Sequence, residues 1–219
     1  MNTITLFRTK KEAIEYAGNC TKTSKMPCDS YSLPTEDCIT GSKLSKIKNT
    51  PCYNCYANKG NYYRFKSNIL PMQKKRLHSI KSKHWVDAMI KLINNQPYFR
   101  WHDSGDIQSI EHFHKICLIA KAMPKTSFWI PTREYSIIKD YAKDHTIPKN
   151  LIVRLSAMFI DKAVIIPKSL QNIKNIVVSN VHTINPIGLE CESYKQDGKC
   201  NDCRKCWNPN IKAISYKLH

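Results

Sequence analysis

Cysteine is the residue in this chain best suited to chemistry, and seven of its ten copies fall in two tight groups. Cys38, Cys52 and Cys55 form a front group; Cys191, Cys200, Cys203 and Cys206 form a rear one. The rear spacing, C-x8-C-x2-C-x2-C, sets three thiols on a seven-residue arc, close enough to wrap one compact inorganic core. Tetrahedral zinc more often draws its four ligands as two separated pairs. A 4Fe-4S cluster is therefore the expectation for this group, with zinc as the alternative because the same thiolates bind it. The front group contains the turn Cys52-Tyr53-Asn54-Cys55 with a third cysteine upstream. Three thiolates leave one iron of a four-iron cluster without a protein ligand, and an open iron can hold a cofactor or a substrate. Seven thiolates thus point to two clusters.

Disulfides need an oxidising compartment. The opening residues, Met1 to Arg8, show neither a long apolar core nor a small-residue cleavage site. No apolar stretch approaches the roughly 18 residues that cross a bilayer. The expectation is a protein of the reducing cytoplasm with no membrane association. Cys117, inside Ile116-Cys117-Leu118-Ile119, reads as a buried small hydrophobe, and Cys20 and Cys28 stay outside the ligand set.

Charge supplies the second chemical signal. Thirty-five Lys and Arg against 17 Asp and Glu leave a net +18, which two four-iron clusters on seven thiolates would lower by only about three units. Such a surplus favours a polyanionic partner, with nucleic acid first; a solubilising lysine surface is the plainer reading. Lys59, Tyr62, Tyr63, Arg64, Phe65 and Lys66 follow directly on the front turn, and Lys74, Lys75, Arg76, Lys81 and Lys83 come soon after. Basic groups interleaved with aromatics suit single-stranded nucleic acid, whose bases stack while its phosphates pair. The same pattern also fits tyrosines that shield a cluster and lysines that face water.

The elements that must position these residues lie in the middle of the chain. Tyr98 to Trp101, Ser127 to Ile130, Leu151 to Leu155 and Ile176 to Val178 are short β-branched and aromatic runs bounded by Pro, Asn, Asp or Ser. Between the first two, Ser109 as N-cap with Phe113, Ile116, Cys117 and Ala120 at helical spacing marks a helix that ends by Pro124. Tyr135, Ile138, Tyr141 and Ala142 repeat the pattern, and Trp85, Ala88, Met89, Leu92 and Ile93 mark an amphipathic face before the first strand. Strand and helix in alternation predict an α/β fold, either a partial (β/α) barrel or an open parallel sheet. With 219 residues and 42% hydrophobic content, one such domain spans residues 1–219, flanked by a cysteine loop at 20–66 and another at 186–208.

In parallel folds the loops past the strand carboxyl ends carry the chemistry. Here they hold His102, Asp103 and Asp106 after the first strand and Arg133 and Glu134 after the second, while Arg154 sits in the third. These groups could hold an amino acid moiety, a ribose or a phosphate; the plainer reading has Asp106 and Glu134 only starting helices. With six glycines there is neither G-x-x-x-x-G-K-[ST] nor G-x-G-x-x-G, and no G-x-S-x-G or H-E-x-x-H occurs. Phosphate-loop NTPases, dinucleotide dehydrogenases and ordinary hydrolases therefore have no foothold.

Lys25-Met26-Pro27, Ser32-Leu33-Pro34, Cys52 to Ala57, Trp101 to Asp106, Pro131 to Glu134 and Cys200 to Trp207 together resemble the phage gene-product-eighty-eight family over about residues 22 to 208. A phage origin implies the host cell's cytoplasm. More distantly the chain is similar to radical S-adenosylmethionine enzymes. That resemblance implies a partial parallel barrel, Cys38, Cys52 and Cys55 as cluster ligands, an added cluster near the C-terminus, S-adenosylmethionine chelated by the open iron, and an electron donor. It departs from that pattern in the 14-residue step from Cys38 to Cys52, where C-x3-C-x2-C is usual, and in lacking Gly-Gly-Glu. The function expected is a phage-type iron–sulfur protein with radical chemistry on a nucleic-acid or nucleotide substrate. Its alternatives are a non-catalytic iron–sulfur nucleic-acid-binding or electron-transfer protein and a zinc-stapled binding module.

Overall fold

Successive side chains of a strand point to opposite faces, and here one set is continuous. Phe99, Trp101, Phe128, Ile130, Leu151, Val153 and Leu155 all join a single core with helical residues. The computed structural model describes residues 6–218, so the leader reading of the first residues falls largely outside the described part. Its strands are β1 (Thr21–Lys22), β2 (Asp29–Tyr31), β3 (Tyr98–Trp101), β4 (Ser127–Thr132), β5 (Leu151–Ser156), β6 (Ile176–His182), β7 (Leu189–Glu190) and β8 (Ala213–Lys217). Its helices are α1 (Lys10–Ala17), α2 (Ile39–Leu44), α3 (Gly60–Arg64), α4 (Lys66–Ser79), α5 (Trp85–Ile93), α6 (Ile110–Ala122) and α7 (Tyr135–Asp144).

The strands form one open sheet in the order β1-β2-β3-β4-β5-β6-β8-β7. Only the β1–β2 pair is antiparallel; the other pairs run parallel. Strands β2 to β6 lie side by side in chain order. Right-handed crossovers between sequential neighbours return each helix to the same face, and α1, α5, α6 and α7 bury their apolar positions in the one core. Helix α5 buries Trp85, Ala88, Met89, Leu92 and Ile93, the face that helical spacing predicts. Helix α6 begins where the sequence places its cap: the Ser109 hydroxyl accepts the His112 N–H at 3.0 Å.

The flanks are not the loops that the sequence suggests. Residues 20–66 contribute β1 and β2, with β2 beside β3, and residues 186–208 contribute β7 beside β8. The front flank also holds α2 and α3, and α4, which follows it, carries Pro71 inside it. The sheet's other face, away from the helices, carries Trp129 with Cys28 and Trp207 in a second, smaller core.

Candidate metal centres

The front centre is built where the loops after β2 and β3 lock together. Gly105 has φ +81°, and a Cβ there would meet Leu33 Cβ at 2.5 Å and its carbonyl oxygen at 2.8 Å. Only glycine permits so close an approach in that conformation. Ser104 completes the clasp: its carbonyl accepts from Leu33 N–H at 2.9 Å, its hydroxyl donates to the Leu33 carbonyl at 2.9 Å, and Gln73 of α4 donates to it at 2.8 Å. The buried Asp103 carboxylate then accepts from the hydroxyls of Ser30 and Tyr62. Burial and the Asp103 charge both push the Tyr62 phenol up, so it stays a donor.

The thiols sit directly above these strand ends. Cys38 precedes α2, and Glu134, at the end of β4, fixes that helix by accepting from Thr40 N–H at 2.8 Å and Thr40 hydroxyl at 2.7 Å. Asp106 accepts from the Thr132 hydroxyl at 2.6 Å and from the backbone N–H groups of Ile107 and Arg133 at 2.8 and 2.9 Å. Arg133 donates from Nε to the Ala157 carbonyl at 3.0 Å. A Cβ on Gly41 would meet Cys38 Cβ at 2.9 Å and the sulfurs of Cys38 and Cys52 at 3.5 and 3.6 Å. The glycine therefore leaves the space in which two thiols approach one another. Cys38, Cys52 and Cys55 border a cavity of about 410 Å³ whose wall continues through Tyr62, Gln73 and Ser104.

Burial dominates the electrostatics of this wall. Burial pushes the Cys38 thiol up, and Asp106 and the other two cysteines push it further. Burial also raises Cys52, with Arg133 pulling the other way. Thiolates are the metal ligands, and a bound cation reverses the preference that burial sets.

The rear centre hangs on Arg154. This fully buried guanidinium donates to five backbone carbonyls: Cys206 at 3.0, Lys205 at 3.0, Ile211 at 3.1, Asn208 at 3.2 and Val178 at 3.3 Å. Four of them belong to the loop that carries Cys206. Cys200 N–H donates to the Lys25 carbonyl at 2.9 Å, and Cys191 N–H to the Ser215 carbonyl at 2.8 Å. Strand β7, just before Cys191, is held by His182: its Nε2 lies 3.3 Å from Glu190 and its Nδ1 2.7 Å from the Ser215 hydroxyl. Cys191, Cys200, Cys203 and Cys206 border a cavity of about 60 Å³. Burial lifts Cys206 to about 12, against the hydrogen bond from Tyr216 and the charge of Arg154.

The structure thus gathers Asp103, Asp106, Arg133 and Glu134 beside the front thiols and sends two predicted residues elsewhere. Arg154 braces the rear loop. His102, at φ +53°, turns into the core 5.3 Å from the His112 ring; both its ring nitrogens are buried without a partner among the described residues. Burial and then Arg100 push its pKa down to about 3. The three cysteines left out of the motifs separate as well: Cys20 and Cys117 enter the helix-side core and Cys28 the small core with Trp207. Sequence reasoning passed over Tyr62 as a partner of Asp103, and over Arg100 and His182. Arg76, read as part of a basic run, is buried; it donates to Ser32 and to Thr21 Oγ1 at 2.9 Å. Among the described residues no three His, Cys, Asp or Glu converge on a point fit for a single metal ion. The thiols border volumes instead.

Fold and site define an α/β protein on one open, largely parallel sheet, with cysteine-lined cavities at its strand ends and on the face away from its helices. The chain matches the family model described as gene product 88 over residues 5–209, and it belongs to that family. No curated protein matches it, and no solved structure does. Among the described residues no helix is long and apolar enough to cross a membrane.

Proposed function

We propose that this chain is an iron–sulfur protein in which Cys38, Cys52 and Cys55 hold a four-iron cluster with one iron facing the front cavity, while the four rear cysteines hold a second cluster. One observation carries the reading. Three thiols border a cavity of about 410 Å³, within the range of small-molecule sites, whereas four thiols close on about 60 Å³. That contrast of open three-thiol and closed four-thiol sets parallels the difference between catalytic and structural metal sites.

For the front cavity we assign a nucleoside that carries an amino acid, S-adenosylmethionine being the nearest example. Lys66 in its wall offers a charge for a carboxylate, and Tyr62, Asn58, Gln73 and Ser104 offer hydrogen bonds. When bound, the cluster supplies one-electron reduction of that ligand, with the electron coming from a separate donor. Asp103 holds Tyr62 in the wall, and Glu134 and Asp106 hold Cys38 and the loop after β4 in place. The substrate class is nucleic acid or nucleotide. Net charge is +18, and Tyr53, Tyr56, Tyr63 and Phe65 are exposed around the front centre together with Lys59, Arg64 and Lys66. A non-catalytic iron–sulfur protein that binds nucleic acid rests on the same exposed rings.

Purification without oxygen, with iron, sulfide and zinc analysis, tests the metal. Iron and sulfide in equal amounts near eight each per chain support two clusters; colourless protein with zinc defeats them. Electron paramagnetic resonance of the reduced protein with added S-adenosylmethionine tests the open iron. A changed spectrum with slow release of 5′-deoxyadenosine supports the enzyme, and an unchanged spectrum leaves the binding protein.

A further inference from the structure

Two sulfurs of the rear centre have hydroxyl groups within hydrogen-bond reach. Cys206 Sγ lies 3.3 Å from the Tyr216 hydroxyl, and Cys191 Sγ lies 3.3 Å from Ser193 Oγ. Among the described residues neither hydroxyl makes a second hydrogen bond. The fold places both. Tyr216 lies on β8 in register with Val181 of β6, and it shares a strand face with Ile214, two residues earlier, which borders the rear cavity. Ser193 belongs to the single turn Glu192–Lys195 that opens directly after Cys191. The backbone on the sulfur side is held as well: Arg154 Nε donates to the Cys206 carbonyl at 3.0 Å, and Cys191 N–H donates to the Ser215 carbonyl at 2.8 Å.

The front centre has no counterpart. Among the described residues no side chain hydrogen-bonds to a sulfur of Cys38, Cys52 or Cys55. The difference becomes chemical once metal is bound. A hydroxyl beside a free thiol can accept its proton, but beside a metal-bound thiolate it can only donate. Hydrogen bonds to the sulfurs are one of the levers that set a cluster's reduction potential. Reduction adds one negative charge, so the reduced form gains more from a donated O–H and the potential rises. The rear set carries one thiolate more than the front set, and with it one more negative charge that opposes reduction. Two donated bonds work against that charge.

We propose that the rear centre is a redox centre and not a staple alone, with Tyr216 and Ser193 as positioning residues that raise its potential through the sulfurs of Cys206 and Cys191. This rests on the iron–sulfur reading of the four rear cysteines. The step is transfer of one electron from a low-potential one-electron donor to the cluster; it breaks no bond and moves no proton.

The full chain, loaded with ferrous iron and sulfide without oxygen, is titrated with dithionite while electron paramagnetic resonance follows each centre. The signal that survives Cys55→Ala belongs to the rear one. Tyr216→Phe and Ser193→Ala each remove a single oxygen atom and keep the packing. The rear midpoint potential should fall in each and fall further in the double variant, with the front midpoint unmoved, while Ser193→Thr, which keeps the hydroxyl, should stay near wild type. Unmoved rear potentials in both single variants, an equal shift at the front centre, or a rear centre that dithionite leaves oxidised in the wild type overturns the proposal. A second arm needs no iron. In the Cys55→Ala chain loaded with cobalt(II), the sulfur-to-cobalt charge-transfer band should move to longer wavelength when either hydroxyl is removed, because the thiolate electrons are then held less tightly. An unmoved band shows that neither hydroxyl donates to the sulfurs and overturns the proposal by itself. Wild type that takes up no iron while the cobalt band still moves defeats the iron–sulfur reading and overturns the redox role, leaving the two hydroxyls as supports of a thiolate-held metal.

Discussion

Both carboxylate oxygens of Glu134 are occupied by Thr40, one by its backbone N–H at 2.8 Å and the other by its hydroxyl at 2.7 Å. Glu134 stands just before α7, where a carboxylate commonly caps its own helix. Here it leaves that helix and reaches the first turn of α2, two residues past Cys38. The end of β4 is thereby tied to the chain that carries the first front thiol. Glu134→Ala removes both bonds and should cost about 3 kcal/mol, whereas Glu134→Gln keeps one acceptor and should cost about 1 kcal/mol. Denaturant unfolding measures the difference. Alkylation of Cys38 and Cys52 should accelerate in Glu134→Ala while the rear cysteines stay unchanged; uniform acceleration at both groups would show that the contact does not act locally.

Arg154 makes a sharper case, because its partners are buried carbonyls. Arg154→Met leaves those of Val178, Lys205, Cys206, Asn208 and Ile211 without this donor, at a cost on the order of 4 kcal/mol. Arg154→Lys should recover little of it, since one ammonium cannot reach five dispersed acceptors. Hydrogen exchange should show the segment around Lys205 to Ile211 opening first. Exchange that rises equally over β5 and this loop would contradict the assignment of Arg154 as the brace of the rear centre.

Asp106 supplies a pH signature. Burial, the largest cause, pushes its carboxyl from the ordinary 3.8 up to about 6, against the hydrogen bonds from Arg133, Thr132 and Ile107. A carboxyl with a raised folded pKa binds its proton more tightly in the folded state. Its contribution is complete below about pH 3.8 and is lost as pH rises through about 6. A melting temperature measured across that window should therefore carry a falling component that Asp106→Asn abolishes. Asp106→Asn should also melt lower at neutral pH, because its amide N–H₂ replaces an acceptor of the Arg133 N–H. A variant that keeps the wild-type slope would remove Asp106 as its source.

How far the sequence revealed this arrangement depends on which signal each element carried. Strands β3 to β6 and helices α5 to α7 announce themselves because each buries a full face, and burial imposes a readable period on the residues. Strand β2 has three residues and β7 two, too few to show alternation. Helix α4 contains Pro71 and its buried positions are Gln73, Arg76 and Ser79, so the apolar stripe that marks a helix is absent. The cysteine spacing disclosed two groups, and the strand-end rule singled out Asp103, Asp106, Arg133 and Glu134 on one rim without saying which group they adjoin. Arg154 escaped because a residue inside a strand has two faces to choose from, and sequence alone does not say which loop will fold over either. Cys28 escaped for a related reason: its core partners Trp129 and Trp207 lie more than 100 residues along the chain.

The exposed rings and cations around the front centre lead to the last prediction. Tyr63 is 70% exposed and Phe65 47%, far more than rings that shield a buried centre would be. Arg64 lies 5.6 Å from the Phe65 ring centroid. Not every basic residue of the run is free: Lys74 pairs with Glu36 and Asp37, both at 2.8 Å, and Arg76 is buried. Lys59, Arg64, Lys66, Lys75, Lys81 and Lys83 remain exposed, and of these Lys59, Arg64 and Lys66 stand beside the exposed rings in the chain. Each phosphate neutralised on a single strand contributes about −0.7 to the slope of log affinity against log salt. Changing the three residues together to glutamine should flatten that slope by about 2, while Tyr63→Ala and Phe65→Ala should weaken binding by about 1–3 kcal/mol each without altering it. Fluorescence anisotropy with a labelled single-stranded oligonucleotide over a salt series separates the two effects. A triple variant whose slope equals that of the wild type would assign the basic surplus to solvation, and the exposed rings would then have no nucleic-acid partner to explain them.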